Sequence, residues 1–156
     1  MQLETWNAPS GGAAIPNHLR FPVLIYRGVP VGDIERVLAD HGWGGAWTDG
    51  VFDSHHFHST SHEVLAVVAG RATLELGGPQ GERFDVGEGD VLVLPAGTGH
   101  RRAAARDGFT VVGAYPAGQE RYDILREADD AARERIGALP VPDHDPVGGD
   151  GIGRWA

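Results

Sequence analysis

The sequence predicts a mostly-β domain, a jelly-roll barrel of short strands, with one short helix on its N-terminal side and a second near the C-terminus. Three observations predict this. Between Trp43 and Tyr115, short runs rich in β-branched and aromatic residues recur without any helical period. Nearly every gap between those runs holds glycine: Gly50, Gly70, Gly77-Gly78, Gly87 and Gly89, Gly97 and Gly99, and Gly108. Apolar residues at helical spacing are confined to stretches outside that region. Even spacing of many short strands with glycine turns is the signature of a sandwich or a barrel.

Taken in order, residues 1–20 are polar and punctuated by Gly and Pro, and read as an extended arm. Phe21 to Tyr26 is an apolar strand stopped by Arg27-Gly28. Over residues 32–41 the period changes: Ile34, Val37, Leu38 and His41 fall on one helical face, with Asp33 at the start and Gly42 at the stop. The strands expected next are Ala46–Thr48, Val51–His58, His62–Val68, Ala72–Leu76, Arg83–Val86, Val91–Leu94, Arg101–Ala105 and Phe109–Tyr115. The segment 119–136 has helical propensity, with Tyr122, Leu125 and Ala128 on one face. Residues 137–156 form a Gly/Pro-rich tail. No internal repeat is present, so the barrel occupying 21–118 is a single one in a single domain spanning 1–156.

Composition narrows the chemistry. A chain of 156 residues can bury a core without crosslinks. Cysteine is absent, which removes disulfides, thiolate nucleophiles and sulfur-based zinc sites. All 13 basic residues are arginine, so no lysine is present to form a Schiff base. A formal net charge of −9 argues against nucleic acid and against anionic membrane surfaces. No signal-like or membrane-length apolar segment is visible, and a cytoplasmic location is the expectation.

The stretch GVFDSHHFHSTSHEVLAVVAG, residues 50–70, carries the chemistry. Alternate residues of a strand share a face, so His56 and His58 form a two-nitrogen clamp with Phe57 on the other side. A turn at Ser59-Thr60-Ser61 would return the Glu63 carboxylate beside them. Further along, GDVLVLPAGTGH delivers His100 after a Pro95-Ala96-Gly97 turn. Three imidazoles and a carboxylate suit a divalent transition ion (Fe, Mn, Ni, Zn or Cu) and are too rich in nitrogen for Ca or Mg.

These segments resemble the two cupin motifs. Gly50, His56, His58, Glu63 and Gly70 match G-x5-H-x-H-x4-E-x6-G, and Gly89, Pro95, Gly97 and His100 match G-x5-P-x-G-x2-H. Nine such agreements at roughly 5–7% each are far beyond chance. The second motif usually closes on asparagine, where this chain has Ala104. A wider resemblance, to YjlB-like single-domain bacterial cupins, rests on IPNHLRFPVLIYRG, GWGGAWTDGVFDSHHFHSTSHEVL, PAGTGH and GAYPAGQERYD. It implies the cupin double-stranded β-helix, one metal ion held by His56, His58, Glu63 and His100, and a homodimer, for which the arm 1–20 is a candidate strand-exchanging contact. It implies no substrate.

Other residues have two readings each. His55 points opposite to His56 and His58 by alternation, and His62 is out of phase with Glu63 yet could support a ligand carboxylate, act in catalysis, or lie at an interface. Trp43 and Trp47 could roof the barrel mouth against a substrate or pack beneath the helix. Tyr115 could face inward as a proton donor or simply fill the core. Arg102, in phase with His100, could bind a substrate carboxylate or pair on the surface, and Asp53 suits a turn contact. Gly87-Glu88-Gly89-Asp90 lacks the helix and the lysine of a phosphate loop. Three functions compete: a metal-dependent enzyme of dioxygenase type acting on a small oxygen-rich molecule, with isomerase or decarboxylase chemistry behind it; a metal- or ligand-binding sensing module; and a structural protein with a vestigial site.

Overall fold

A computed structural model describes residues 1–10, 12 and 14–156; Gly11 and Ala13, inside the expected arm, lie outside the described residues. Seven strands form one antiparallel sheet that curls into the expected jelly-roll barrel. They are β1 (Gln2–Trp6), β2 (Val23–Arg27), β3 (Trp43–Asp49), β4 (Glu63–Leu76), β5 (Glu82–Gly87), β6 (Val91–Leu94) and β7 (His100–Pro116). The strand order is β1-β2-β6-β4-β7-β3, with β5 paired to β4. Two helices, α1 (Ile34–Asp40) and α2 (Asp130–Ala138), and a final 3-10 turn (Gly151–Trp155) complete the order.

The runs VLIY and VLVL are apolar without alternation because these strands are buried on both faces. Along β2, Leu24 and Tyr26 enter one apolar cluster while Val23 and Ile25 enter another. The same alternation separates Val64 and Ala66 from Leu65 and Val67 on β4, and Val91 and Val93 from Leu92 and Leu94 on β6. The first cluster is closed over by Ile34 and Leu38 of α1 and by Ile152 and Trp155 of the tail. The second fills the barrel interior.

Several boundaries differ from the expectation. The two runs on either side of Gly70 are one strand, β4. Gly70 is its bend, not a turn: φ is +72°, and a Cβ there would lie 2.4 Å from the Phe109 amide nitrogen. The runs ending at Ala105 and beginning at Phe109 likewise join as β7. Register shifts between Val67 and Ala69, Ala69 and Arg71, and Thr73 and Leu74 let the paired strands β4 and β7 bend together. Val51–His58 is not a strand but a loop tethered by isolated bridges from His56 to His100 and from Phe57 to Leu125.

The helix expected over 119–136 begins only at Asp130. Asp129 caps it, its carboxylate accepting from the Ala132 amide at 2.8 Å. Upstream, the backbone is committed elsewhere: Leu125 exchanges two hydrogen bonds with Phe57, and the Ala128 amide donates to the Ala14 carbonyl. The first helix lies where its period put it. Gly42, at φ +81°, follows it, and Asp33 pairs with Arg36 at 2.7 Å without capping the helix through its side chain.

Neither terminus is a loose extension. The first residues form β1 and pair with β2 of the same chain. Asn17 is buried, donating to the carbonyls of Pro9 and Gly77 and accepting from the Gly99 amide. In the tail, Asp145 is buried and accepts from the Tyr26 hydroxyl at 2.6 Å, and that hydroxyl accepts in turn from the Gly151 amide at 2.7 Å. Trp155 stacks on Phe21 and donates to the Pro22 carbonyl.

His18 makes the fold sensitive to acid. Its Nδ1 accepts from the amides of Arg20 and Phe21, and its ring is buried against Phe21. Burial, aided by the charge of Arg20, pushes the imidazole from its usual 6.5 down to about 4. The unfolded chain therefore binds a proton here that the folded chain refuses, so this contribution to stability is whole above pH 6.5 and lost as pH falls toward 4. His18→Asn keeps an acceptor in place of Nδ1 and removes the titration. Melting temperature followed from pH 7.5 to 4.5 is expected to fall less steeply in the variant than in the native chain; parallel curves would refute this account.

Candidate metal centre

His56 and His58 sit on the loop between β3 and β4, and backbone bonds from three directions hold that loop. His56 exchanges amide and carbonyl bonds with His100, Phe57 does so with Leu125, and the Gly97 amide donates to the His58 carbonyl. Phe57 is fully buried in a small cluster with Ile15, Ala96 and Ile136, which anchors the loop between the two histidines. Glu63 opens β4 and pairs with Leu94 of β6, while His100 opens β7 opposite Leu76. All four side chains are buried.

The histidine rings are oriented through Nδ1. In each case that atom faces a backbone carbonyl: Ser54 for His56, Asp123 for His58 and Thr98 for His100. A nitrogen facing a carbonyl oxygen must carry the proton, so in the neutral ring it is Nε2 whose lone pair faces the site, and in a protonated His58 ring Nε2 donates toward Glu63. Nε2 of His58 and of His100 lie 3.2 and 3.3 Å from Glu63 Oε1. One ligand atom from each of the three histidines falls within 4.8 Å of the others. Inward lone pairs with anchored outer nitrogens fit a divalent ion.

Charge in the pocket follows from the same contacts. Burial alone would raise the Glu63 carboxyl, but His58 and His100 override it and hold it well below the carboxylate range. Burial with the neighbouring His100 pushes His56 down to about 3. Burial also works against protonated His58, yet the Glu63 carboxylate beside it raises it overall.

A chain of contacts supports Glu63 from behind. The Tyr115 hydroxyl donates to Glu63 Oε2 at 2.8 Å and accepts from Trp47 Nε1 at 2.6 Å. Burial and the Glu63 charge push the Tyr115 phenol far up, which keeps its proton in place. Trp47 reaches this position because Gly113 has no side chain; a Cβ there would meet the indole at 2.4 Å. Tyr122 stacks on Tyr115 with ring centres 4.2 Å apart. Asp123 fastens this segment over the site: its carboxylate accepts from the amides of Ser59 and Thr60 and from both hydroxyls.

The four side chains form the floor of a cavity of about 280 Å³. Its walls are Val51, Leu65, Trp47, Tyr115 and Tyr122, and its rim includes Thr48, Asp49, Phe52 and Ile124. Of the further candidate functional residues named from the sequence, Trp47 and Tyr115 are there, and Trp43, His55, His62, Asp53 and Arg102 are not. Trp43 is buried in the core, its indole donating to the His144 carbonyl. His62 is turned away from Glu63: Nδ1 accepts from the Ala96 amide, and Nε2 donates to the Pro140 carbonyl. His55 lies 3.4 Å from Glu75, and Arg102 reaches toward exposed Asp53 at 3.9 Å, outside the cavity lining. Sequence reasoning did not single out Phe52, Asp123 or Ile124 for the site, and it assigned Tyr122 to a helix face. Only their chain neighbourhood to the motif or to Tyr122-Asp123 in GAYPAGQERYD gave any signal.

Comparison with known proteins is consistent with these features. A family model described as "Cupin domain" matches residues 47–112. The chain is 36% identical over 154 residues to an uncharacterised Bacillus subtilis protein, YjlB, covering 95% of this chain and 92% of that one. Among solved structures, a cupin-like protein from Thermotoga maritima is 15% identical, with 74% of this chain and 85% of that chain covered and a TM-score of 0.42. A cadmium-containing acireductone dioxygenase from Bacillus anthracis is 20% identical, with 56% and 59% covered and a TM-score of 0.41.

The support for Glu63 has a measurable cost. Tyr115→Phe leaves a buried carboxylate oxygen without its donor and the Trp47 indole without its acceptor. Urea unfolding of the metal-stripped protein is expected to show a loss of about 1.5–3 kcal/mol, the range for a hydrogen bond to a charged group. A loss below about 0.5 kcal/mol would show that the contact is not made in solution.

Proposed function

The chain belongs to the cupin family, and on that premise we propose that it is a metal-dependent enzyme of dioxygenase type acting on a small oxygen-rich molecule. The observation that carries the proposal is the location of the donor set on the floor of an open cavity. A structural metal site is closed on all sides by protein ligands, whereas a reactive one keeps room beside the ion. Here His56, His58, Glu63 and His100 would hold one divalent transition ion (iron, manganese, nickel or zinc). When bound, it would supply Lewis acidity and, in the case of iron, reactivity toward dioxygen.

The chain's own residues have distinct tasks in this reading. The carbonyls of Ser54, Asp123 and Thr98 fix the three imidazoles as neutral Nε2 donors. Tyr115 holds a proton at Oη and presents it to Glu63 Oε2, so that Glu63 keeps Oε1 toward the histidines. Val51 and Leu65 line the interior with apolar surface and keep water from the walls. A substrate enters between Phe52 and Ile124 at the rim. The same floor and cavity suit a ligand-sensing module without turnover, and metal-assisted isomerisation or decarboxylation needs no oxygen at all.

Metal analysis of protein purified without a histidine tag is expected to find about one ion per chain, and His58→Ala or His100→Ala to lose most of it. A native stoichiometry near zero would overturn the proposal. With Fe(II) bound, an oxygen electrode should then register uptake with one member of a panel of diketones, catechols and thiol acids. Silence across that panel would favour sensing or a reaction without oxygen.

A homodimer belongs to the same reading. β1 and β3 end the strand order, and each leaves one edge without a strand partner among the described residues. Light scattering is expected to give twice the 16.6 kDa chain mass; the mass of one chain would refute it.

A further inference from the structure

The walls of the cavity carry more information than its floor. Among the described residues, no arginine lines it. The two nearest in sequence to the donor set are engaged elsewhere: Arg101 pairs with Glu75 at 3.0 Å, and Arg102 reaches toward Asp53. The one further acidic side chain in the lining, Asp49 at the rim, adds negative charge. A phosphate, a dicarboxylate or a sugar acid entering here would shed its hydration and meet no cationic partner on the walls.

Apolar and aromatic surface takes the place of that cation. Tyr115 and Tyr122 form a stacked pair on one side, and Phe52 meets the His56 ring edge-on with centres 5.1 Å apart. Phe52 and Ile124 are 52% and 40% exposed, which makes them two of only four large hydrophobic side chains left exposed among the described residues. Both sit on the rim of this cavity. Apolar groups left in water at the mouth of a pocket mark what the pocket recognises.

Charge sets a second limit. Three neutral imidazoles and one carboxylate around a divalent ion leave one net positive charge in a buried space. A ligand with a single negative charge neutralises it, and a dianion over-compensates it beside Asp49. We infer that the cavity takes a flat, aryl-bearing oxygen chelator that binds as a monoanion, the class to which enolised aryl 1,3-diketones and singly ionised aryl diols belong. This rests on the metal-binding reading proposed above.

The test compares three probes on the full chain loaded with Co(II): benzoylacetone, acetylacetone and malonate. All three offer oxygens at the same 1,3 spacing. Malonate differs in charge, and acetylacetone differs only in lacking the ring. Each dissociation constant from calorimetry is divided by that ligand's constant for free Co(II) in the same buffer. Benzoylacetone is expected to bind at least about tenfold better than malonate on this scale, from ring burial and charge together. The double variant Phe52→Ala, Ile124→Ala should weaken benzoylacetone about fivefold, leave acetylacetone within about twofold, and keep the cobalt content unchanged. Malonate binding as well as benzoylacetone, or benzoylacetone indifferent to the double substitution, would overturn the inference while metal binding stood. Failure of the native chain to take up cobalt would overturn the proposed function, and this inference with it, and is read separately from the metal content.

Discussion

The centre of the molecule is organised around one buried carboxylate. Glu63 is buried at the bottom of the cavity, and a buried charge is tolerated only where its oxygens are satisfied. Oε1 faces Nε2 of His58 and of His100, and Oε2 accepts a hydrogen bond from the Tyr115 hydroxyl. Each partner is itself fixed: His58 by the Asp123 carbonyl, His100 by the Thr98 carbonyl, and Tyr115 by the Trp47 indole. That indole fits only because Gly113 clears space for it. One charge therefore accounts for contacts drawn from β3, β4, β7, the His56–His58 loop and the segment around Asp123.

The scaffold has to hold those elements without giving. It does so by burying the central strands on both faces, with interior residues on one side and α1 with the C-terminal segment on the other. The Tyr26–Asp145 contact locks that outer cover at a strand that pairs directly with β6, itself the neighbour of Glu63. Covering the outside is thus coupled to the position of the strand that carries Glu63 through a few hydrogen-bonded neighbours. The cavity side, by contrast, keeps Phe52 and Ile124 in solvent.

Much of this was legible in the sequence, and the part that was not has a physical pattern. His56, His58 and Glu63 lie within one short segment, and His100 follows a Pro-Gly turn, so local geometry and motif spacing identify them. Gly70 shows the limit of such reasoning: a glycine between two apolar runs reads as a turn, yet here it bends a continuous strand. Tyr122 and Leu125 have helical spacing, but the Leu125 backbone is captured by Phe57, and the Asp123 side chain between them by the loop around Ser59, far away in the chain. The Gly/Pro-rich composition of the tail did not foretell its packing, because its order depends on Asp145 meeting Tyr26, a contact between residues 119 apart that no local pattern records.

The histidines show how finely the site is separated from its surroundings. In His56, His58 and His100, Nδ1 donates to a carbonyl, so in the neutral ring Nε2 keeps its lone pair. In His18 and His62, Nδ1 instead accepts from backbone amides, which places the ring proton on Nε2 and removes the atom that would face an ion. His62 directly precedes Glu63 and is as buried as His56, His58 and His100, yet it cannot turn toward them without surrendering the Ala96 amide. His41 has the donor polarity, toward the Val37 carbonyl, but it belongs to no group of three converging donors among the described residues. Two conditions must hold together: a carbonyl behind the ring and converging donors in front. Among the described residues, the three histidines of the His-x-His and Pro-x-Gly-x-x-His segments are the ones grouped as converging donors, and each has a carbonyl behind its ring.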